Sequence, residues 1–422
     1  MRTLQSLCRG IGVIAICALV NCARGPLKDS ENAMRLSASP PAHLHDDLDF
    51  EGLVVALETN VTHLRESAHP DTFLSFGPRK VSLREYLQAL ELLLNEAKQD
   101  PSGERFRKLL RQEFEPYEVY GDEDWGQVFI TSYFEPVIEG ARHPTGRFRQ
   151  PLYGVPKDMV LVDMSSFASM RSNVSPGRGV LRGRLVAPTG GEMGRIVAYP
   201  SRAEIDSSGL QGQAQVLAYV DPVDAFFLEI QGSGVVHFSD GRELKLGYAA
   251  QNGHAYVPVG KFLLDRIPKE RMSLQMIESH LRSLPTEEAR RLMWQNPSYV
   301  FFQRLPNAGR TFLGTEVVAG RTIATDRSLF PKGTLAFLEF EKPIFRSSED
   351  TEPASWQKTS RFVLDQDTGG AIRGPHRVDL FWGRGPLAKQ AAGVMKGRGR
   401  LIYFVPRTSE TPLRLGSVQG RP

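Results

Sequence analysis

Asp367-Thr-Gly-Gly-Ala-Ile-Arg-Gly-Pro-His-Arg-Val-Asp379-Leu-Phe-Trp-Gly-Arg-Gly385 follows directly on a strand-like run from Phe362 to Gln366. Two acids bracket a glycine-rich path. Glycine permits tight backbone turns and close approach of a ligand, and a carboxyl held over such a path is a candidate proton donor. The segment reads as an acid-bearing loop set into β-structure.

Working outward, the same texture holds from Gln127 onward. Gln127 to Tyr133, Val180 to Val186, Gln215 to Val220, Ala225 to Gln231 and Val235 to Phe238 are predicted strands, and Asp240-Gly241 is a hairpin turn signal. Tyr299 to Gln303, Thr322 to Thr325, Thr334 to Glu339, Phe362 to Gln366 and Leu401 to Val405 continue the series, interrupted by predicted helices at Ser273 to Leu284 and Thr286 to Trp294. Short strands without regular strand-helix alternation argue for β-barrels and against a doubly wound sheet. Helices precede them. Leu53, Val54, Leu57, Val61 and Leu64 recur at helical spacing, Ser82 and Glu85 form a capping-box pattern, and a third helix spans Glu104 to Glu113, closed by Pro116. The expected fold class is mainly β with flanking helices.

The chain has 422 residues, 41% of them hydrophobic and 24% charged, which suits two or three globular domains. Its net charge of +4 is too weak a bias to argue for nucleic acid, and losing Arg2 and Arg9 would leave 50 basic against 48 acidic residues. Those arginines belong to an export signal, residues 1–22, where they precede an apolar run from Ile11 to Val20 that is too short to span a bilayer as a stable helix. All three cysteines, Cys8, Cys17 and Cys22, lie in it, so no disulfide is expected in the mature chain. Leu19-Val20-Asn21-Cys22 resembles a bacterial lipobox that makes Cys22 the lipidation site, although Asn21 departs from the usual small residue; an ordinary cleaved signal is the alternative.

Residues 23–45, with Pro40-Pro41 and several serines, read as a flexible tether. The cluster His43, His45, Asp46 and Asp47 reads as solvated linker rather than a metal site. No G-x-S-x-G, Walker loop, H-E-x-x-H or G-x-G-x-x-G is present. Carboxylate chemistry on carbohydrate remains. His254 and His376 read as structural partners, and the Phe226-Phe227 and Phe301-Phe302 pairs as core.

A set of ordered motifs then becomes specific: Tyr133-Phe-Glu-Pro136, Tyr199-Pro-Ser-Arg-Ala-Glu-Ile-Asp206, Ala218-Tyr-Val-Asp221, Gln231-Gly-Ser-Gly234, Gly247-Tyr-Ala-Ala-Gln-Asn-Gly-His254, Asn296-Pro-Ser-Tyr-Val-Phe-Phe302 and the acid loop. Across roughly residues 127 to 406 the chain resembles the membrane-bound lytic murein transglycosylase A family, with a C-terminal three-aspartate domain. The resemblance implies a double-psi β-barrel built from both ends of the chain, an inserted second β-barrel-like domain and a groove between them. It divides the chain into a helical region with the first part of the barrel (46–137), the insert (138–309), the second part of the barrel (310–406) and a tail (407–422).

The resemblance also implies cleavage of the peptidoglycan bond between N-acetylmuramic acid and N-acetylglucosamine, leaving 1,6-anhydromuramic ends. Asp379 aligns with the catalytic acid, and Asp367 and Asp326 are supporting acids. One carboxyl suffices if it protonates the glycosidic oxygen and then takes the proton of the sugar's own 6-hydroxyl. Such a donor needs a raised pKa, for which Leu380, Phe381 and Trp382 or a nearby Asp367 are the candidate causes. Tyr133, Glu135, Gln231, Ser233, Gln251, Asn252 and Trp382 are candidate substrate contacts. No metal or organic cofactor is implied. Expected partners are glycan strands and, through Cys22, the periplasmic face of the outer membrane, with a soluble periplasmic form as the alternative. Two other readings stay open: a hydrolase using Asp367 as second carboxylate, and a non-catalytic wall-binding lipoprotein.

Overall fold

The computed structural model describes residues 29–67, 69, 72–121, 125–164, 180–186, 193–210, 212–306, 309–369 and 372–407. The export signal, Cys22 and the tail beyond Arg407 lie outside them. In chain order the first part comprises β1 (Met34–Leu36), α1 (Leu53–Ser67), β2 (Phe73–Phe76), β3 (Arg79–Ser82), α2 (Leu83–Gln99), α3 (Glu104–Glu113), β4 (Phe114–Val119) and β5 (Gln127–Glu135). The middle holds β6 (Val137–Ala141), β7 (Gln150–Tyr153), β8 (Met159–Asp163), β9 (Val180–Val186), β10 (Arg195–Ala198), α4 (Arg202–Ser208) and β11 (Val216–Val220). It continues through α5 (Pro222–Gln231), β12 (Gly234–Phe238), β13 (Glu243–Gln251), α6 (Leu274–Ser283), α7 (Thr286–Met293) and β14 (Val300–Arg304). The last part is β15 (Thr322–Ala324), β16 (Thr334–Ile344), β17 (Ser355–Asp367), β18 (Arg377–Arg384), α8 (Gly385–Val394) and β19 (Lys396–Pro406).

Two sheets organise these elements. One closes on itself in the circuit β5-β18-β15-β17-β16-β19, because β19 pairs through Lys396 to Arg400 with β5 and through Arg400 to Tyr403 with β16. Closure removes the exposed edges of these six strands. Gly399 sits where β19 changes partner; a Cβ there would lie 2.2 Å from Ile130 Cδ1 and 2.3 Å from the Glu339 carbonyl, so only glycine fits. The other sheet, β14-β13-β12-β6-β11-β7, is built entirely from the middle of the chain. The barrel core joins the N-terminal helices through an aromatic cluster in which Phe362 meets Phe106 and Phe337 at 5.0 Å and Phe50 at 5.7 Å.

Three expectations need correction. Residues 29–45 are not a tether: β1 pairs with β4, and Ala33 and Met34 are buried. Asp46 and Asp47, weighed above as linker, bind two buried arginines. Asp46 meets Arg321 at 2.6 and 2.8 Å and accepts the Phe362 amide at 3.0 Å, and Asp47 meets Arg361 at 2.8 Å. Second, Ala225 to Gln231 is helical. Asp221 caps α5 by accepting the Val223 and Asp224 amides, and Pro222 opens the first turn, where its missing N–H costs nothing. Its Phe226 and Phe227 are buried among α6 and α7 residues. Third, Pro116 does not end the structure after α3 but lies within β4. The Ser82 cap, whose hydroxyl accepts the Glu85 amide, and the bounds of α3 agree with the sequence reading.

Candidate active site

The second acid of the glycine-rich segment lies in a strand, not in a loop. Asp379 is the third residue of β18, and the register sets it in a row across five barrel strands: Lys396, Thr131, Asp379, Ala324 and Asp367. In-register residues share a face, and strands are spaced by about 4.8 Å, so the Cα atoms of Asp379 and Asp367 are about 10 Å apart. Ala324, between them, is the smallest side chain of the row.

Alternation along β18 decides what surrounds Asp379. Phe381 shares its face and lies 5.1 Å from the Tyr133 ring. Val378 and Leu380 point into the barrel core, and Trp382 packs on that same side against Phe340 and Arg361. Of the three apolar residues expected to surround the acid, only Phe381 does so. Trp382 is therefore not placed as a sugar platform beside Asp379.

The Asp379 carboxyl is held asymmetrically. Thr131 donates its hydroxyl to Oδ1 and accepts from Arg377 Nη2 at 3.2 Å, while Arg377 Nε stands 3.6 Å from the same Oδ1. Among the described residues no hydrogen bond is made to Oδ2, and the side chain keeps 17% of its surface exposed, enough to meet a ligand. Burial raises its pKa, opposed by the Arg377 charge and the Thr131 hydrogen bond. The arrangement leaves Oδ2 as the oxygen that can carry a transferable proton.

Asp367 is the opposite case. Tyr133 donates to Oδ2 at 2.8 Å, and the Phe312 and Thr368 amides donate to Oδ1 at 2.9 and 2.8 Å. Both oxygens are occupied. Burial still raises its pKa against those donors. Tyr133, whose own pKa is driven up by burial and then by Asp367, stays a neutral donor that spans the face from β5 to β17. Asp326 accepts the Ser328 hydroxyl, the Ser328 amide and, at 2.9 Å, the Gly374 amide, so it pins the turn before β16 to the segment preceding β18. Burial of Asp326 is outweighed by those donors, and its pKa is lowered.

Glu135, Gln231 and Ser233 meet where the chain crosses between the two sheets. Glu135 accepts the Gly309 amide at 3.0 Å and Arg384 Nε at 2.5 Å, and Gln231 accepts the Phe134 amide at 3.1 Å. A Cβ on Gly309 would stand 3.0 Å from Glu135 Oε1 and 3.1 Å from Ser233 Oγ, so glycine lets the return crossing approach the outgoing one. Asn252 is buried, its amide taken by the Pro200 and Pro297 carbonyls and the Tyr299 N–H. Gln251 accepts the Gly253 amide, and His254 meets the Tyr199 carbonyl at 2.7 Å. The structure thus joins Tyr133 to the acid row, places Glu135, Gln231 and Ser233 at the junction and Gln251 and Asn252 in the insert, and leaves Trp382 on the core side of β18.

Sequence reasoning missed Thr131, Arg377 and a buried acid, Asp365. Asp365 is held by Lys332 at 2.7 Å, Thr325 at 2.6 Å and Tyr403 at 2.7 Å, which fixes the strand end that carries Asp367. The signal for the first two was period-2 spacing: Arg377 lies two before Asp379, and Thr131 two before Tyr133.

Residues 129–303 match the family model described as the MltA specific insert domain, and residues 321–405 match the 3D domain. The membrane-bound lytic murein transglycosylase A of Escherichia coli (strain K12) is 32% identical over 307 residues, 71% of this chain and 72% of that protein. A membrane-bound lytic murein transglycosylase from Agrobacterium tumefaciens superposes with a TM-score of 0.68 at 27% identity, covering 85% of this chain and 93% of that one. E. coli MltA with bound chitohexaose superposes with a TM-score of 0.64 at 26% identity, covering 91% and 96%. The closed barrel, the insert and a relative of this identity over most of both chains agree, and the chain belongs to the membrane-bound lytic murein transglycosylase A family.

Proposed function

We propose that the protein is a lytic transglycosylase of peptidoglycan. It cleaves the β-1,4 bond between N-acetylmuramic acid and N-acetylglucosamine and leaves 1,6-anhydromuramic ends. Asp379, protonated on Oδ2, donates to the glycosidic oxygen as an oxocarbenium-like centre develops at C1. The resulting carboxylate takes the proton of the 6-hydroxyl, whose oxygen attacks C1 and closes the anhydro ring; the acid is regenerated and no water is consumed.

The observation that carries this reading is the contrast between the two acids: among the described residues Asp379 keeps one oxygen without a hydrogen-bond partner, whereas both oxygens of Asp367 are engaged. A hydrolase needs a second carboxylate free to activate water, and Asp367 is instead suited to position Tyr133 and the segment leading to β18. Asp326 anchors the same segment. Chitohexaose bound to the E. coli relative supports a glycan as ligand. Mass spectrometry of muropeptides released from purified peptidoglycan tests the reading: products lighter by one water are expected, and reducing-end products would replace it with the hydrolase.

Arg377 gives a prediction about pH. Its charge favours the ionised form of Asp379, so Arg377→Gln raises the pKa of the acid further and keeps it protonated to higher pH. The alkaline limb of kcat/KM is expected to move upward; a downward move or no move would show that another group sets that limb.

Anchoring belongs to the proposal too. The lipobox-like Leu19-Val20-Asn21-Cys22 would fix the enzyme at the periplasmic face of the outer membrane, and relatives are named membrane-bound. Labelled palmitate is expected in the wild-type chain and not in Cys22→Ala; an unlabelled wild type would make the protein soluble in the periplasm.

A further inference from the structure

Past the Asp367 end of the acid row, two arginines, one from the barrel and one from the insert, stand without a carboxylate. Arg327, exposed in the turn before β16, lies 4.9 Å over the Phe312 ring and makes no ion pair among the described residues. The neighbouring Asp326 is turned away from it: its oxygens hold Ser328, the Gly374 amide and, at 4.0 Å, Arg373. Arg182 of β9 lies against the end of β13, where a Cβ on Gly253 would stand 3.2 Å from the Arg182 Cβ. Its buried Nε has no hydrogen-bond partner, and it too makes no ion pair among the described residues.

Two uncovered aromatic rings lie with them. Tyr248 of β13 and Phe312, on the segment between β14 and β15, keep 45% and 48% of their surface exposed. Partial burial raises the pKa of the Tyr248 phenol, and the charges of Arg182 and Arg327 both oppose that rise, so the two guanidiniums converge on one phenol. Phe312 ties the cluster to the acids: its amide donates to Asp367 Oδ1 at 2.9 Å, and Asp367 lies two strands, about 10 Å, from Asp379. Peptidoglycan alternates its two sugars, so the next muramoyl residue of a strand lies two sugars from the one being cleaved, a comparable separation. A carboxylate there relieves the repulsion between the two guanidiniums, whereas a neutral sugar leaves it in place. The planar guanidinium fork also matches a carboxylate in shape.

Resting on the transglycosylase reading, we propose that Arg182, Arg327, Tyr248 and Phe312 form a site for a peptide carboxylate on the muramoyl residue next along the strand from the one cleaved. The arginines take the carboxylate from the two sides, and the rings support the apolar part of the peptide. The site positions the strand and takes no part in the proton transfer at Asp379.

The test uses the full chain and its Arg182→Gln/Arg327→Gln variant on two substrates, glycan strands with stem peptides and the same strands stripped by an amidase. The ratio of kcat/KM for peptide-bearing over stripped strands is expected to fall about tenfold in the variant, the size of two partly exposed charge contacts, with activity on stripped strands unchanged. An unchanged ratio would overturn the proposal, and so would an equal loss on both strands, which would make the cluster a platform for the sugars alone. Arg327→Gln by itself, at an exposed position that folding does not depend on, is expected to lower the ratio about threefold, so an early-melting double variant still leaves a readout. Calorimetry in the Asp379→Asn background reads the site without turnover. A tetrasaccharide with peptides on both muramoyl residues is expected to bind more tightly than its peptide-free form only when the arginines are present, and an arginine-independent gain counts against the site. Anhydro products with an arginine-independent ratio and binding would sink the site and leave the enzyme. Arginine-dependent peptide binding with no anhydro product from either strand would sink the enzyme and leave the site.

Discussion

Asp379→Asn is expected to lower kcat/KM on peptidoglycan by about 10²- to 10⁴-fold, the range spanned by loss of a positioned general acid. The amide has the shape of the carboxyl and can still accept from Thr131, so the row keeps its geometry, but its N–H protons are not acidic enough to be transferred and it cannot take up the 6-hydroxyl proton. Stability moves in the other direction. Because burial raises the Asp379 pKa in the folded protein, the ionised form is disfavoured there relative to the unfolded chain. The wild type bears that cost as pH rises above the ordinary carboxylate range, and the neutral amide does not. The variant is therefore expected to melt at the wild-type temperature or slightly above it at neutral pH. Loss of activity with an unchanged melt assigns the effect to chemistry; loss with an early melt would remove the evidence for a catalytic role.

Asp46→Ala is expected to destabilise the fold by about 3–5 kcal/mol, the usual consequence of removing one member of a buried ion pair. Both side chains of the Asp46–Arg321 pair are fully buried, and Arg321 also donates to the Phe362 and Glu51 carbonyls. Truncating Asp46 leaves a guanidinium in the core with its charge uncompensated. Against a typical total of about 5–15 kcal/mol, the loss should appear as a large drop in the urea midpoint with an unchanged slope. Asp46→Ala with Arg321→Met, which removes both charges, should recover part of it; a double variant no better than the single would mean that the pair acts chiefly by packing. The neighbouring Asp47 adds an acid sensitivity. Burial alone would raise its pKa, but Arg361 and Lys342 outweigh it and leave the pKa lowered. Its stabilisation is present above the ordinary carboxylate range and lost as pH falls through the lowered value.

These two positions also mark how far the sequence could be read. Local signals were sufficient where structure is local: the Ser82 cap, the apolar stripe of α1 and the turn at Asp240-Gly241 needed only neighbouring residues. Asp46 looked like part of a solvated linker because its partner, Arg321, is 275 positions away. The strand Arg377–Arg384 was read as loop because glycine, proline and charge surround it, and with that the alternation separating Asp379 from Trp382 was overlooked. The misread helix at Ala225 had its evidence one step upstream, in Asp221-Pro222, where a cap and a helix-opening proline outweigh the β character of Phe-Phe-Leu. The row that brings Thr131, Asp379 and Asp367 together depends on strand register between distant segments, and no single segment encodes it. The glycine-rich acid segment suggested the chemistry; strand pairing is what sets Asp379, with no hydrogen bond to Oδ2 among the described residues, apart from Asp367, with both oxygens engaged.

The central claim is that the sugar's own hydroxyl, not water, attacks the anomeric carbon while Asp379 alone moves the proton. Digestion of purified peptidoglycan in ¹⁸O-labelled water tests it most directly. New muramoyl ends free of ¹⁸O, each one water lighter than a reducing end, are the predicted result; ends carrying one ¹⁸O would contradict it and make a second carboxylate necessary.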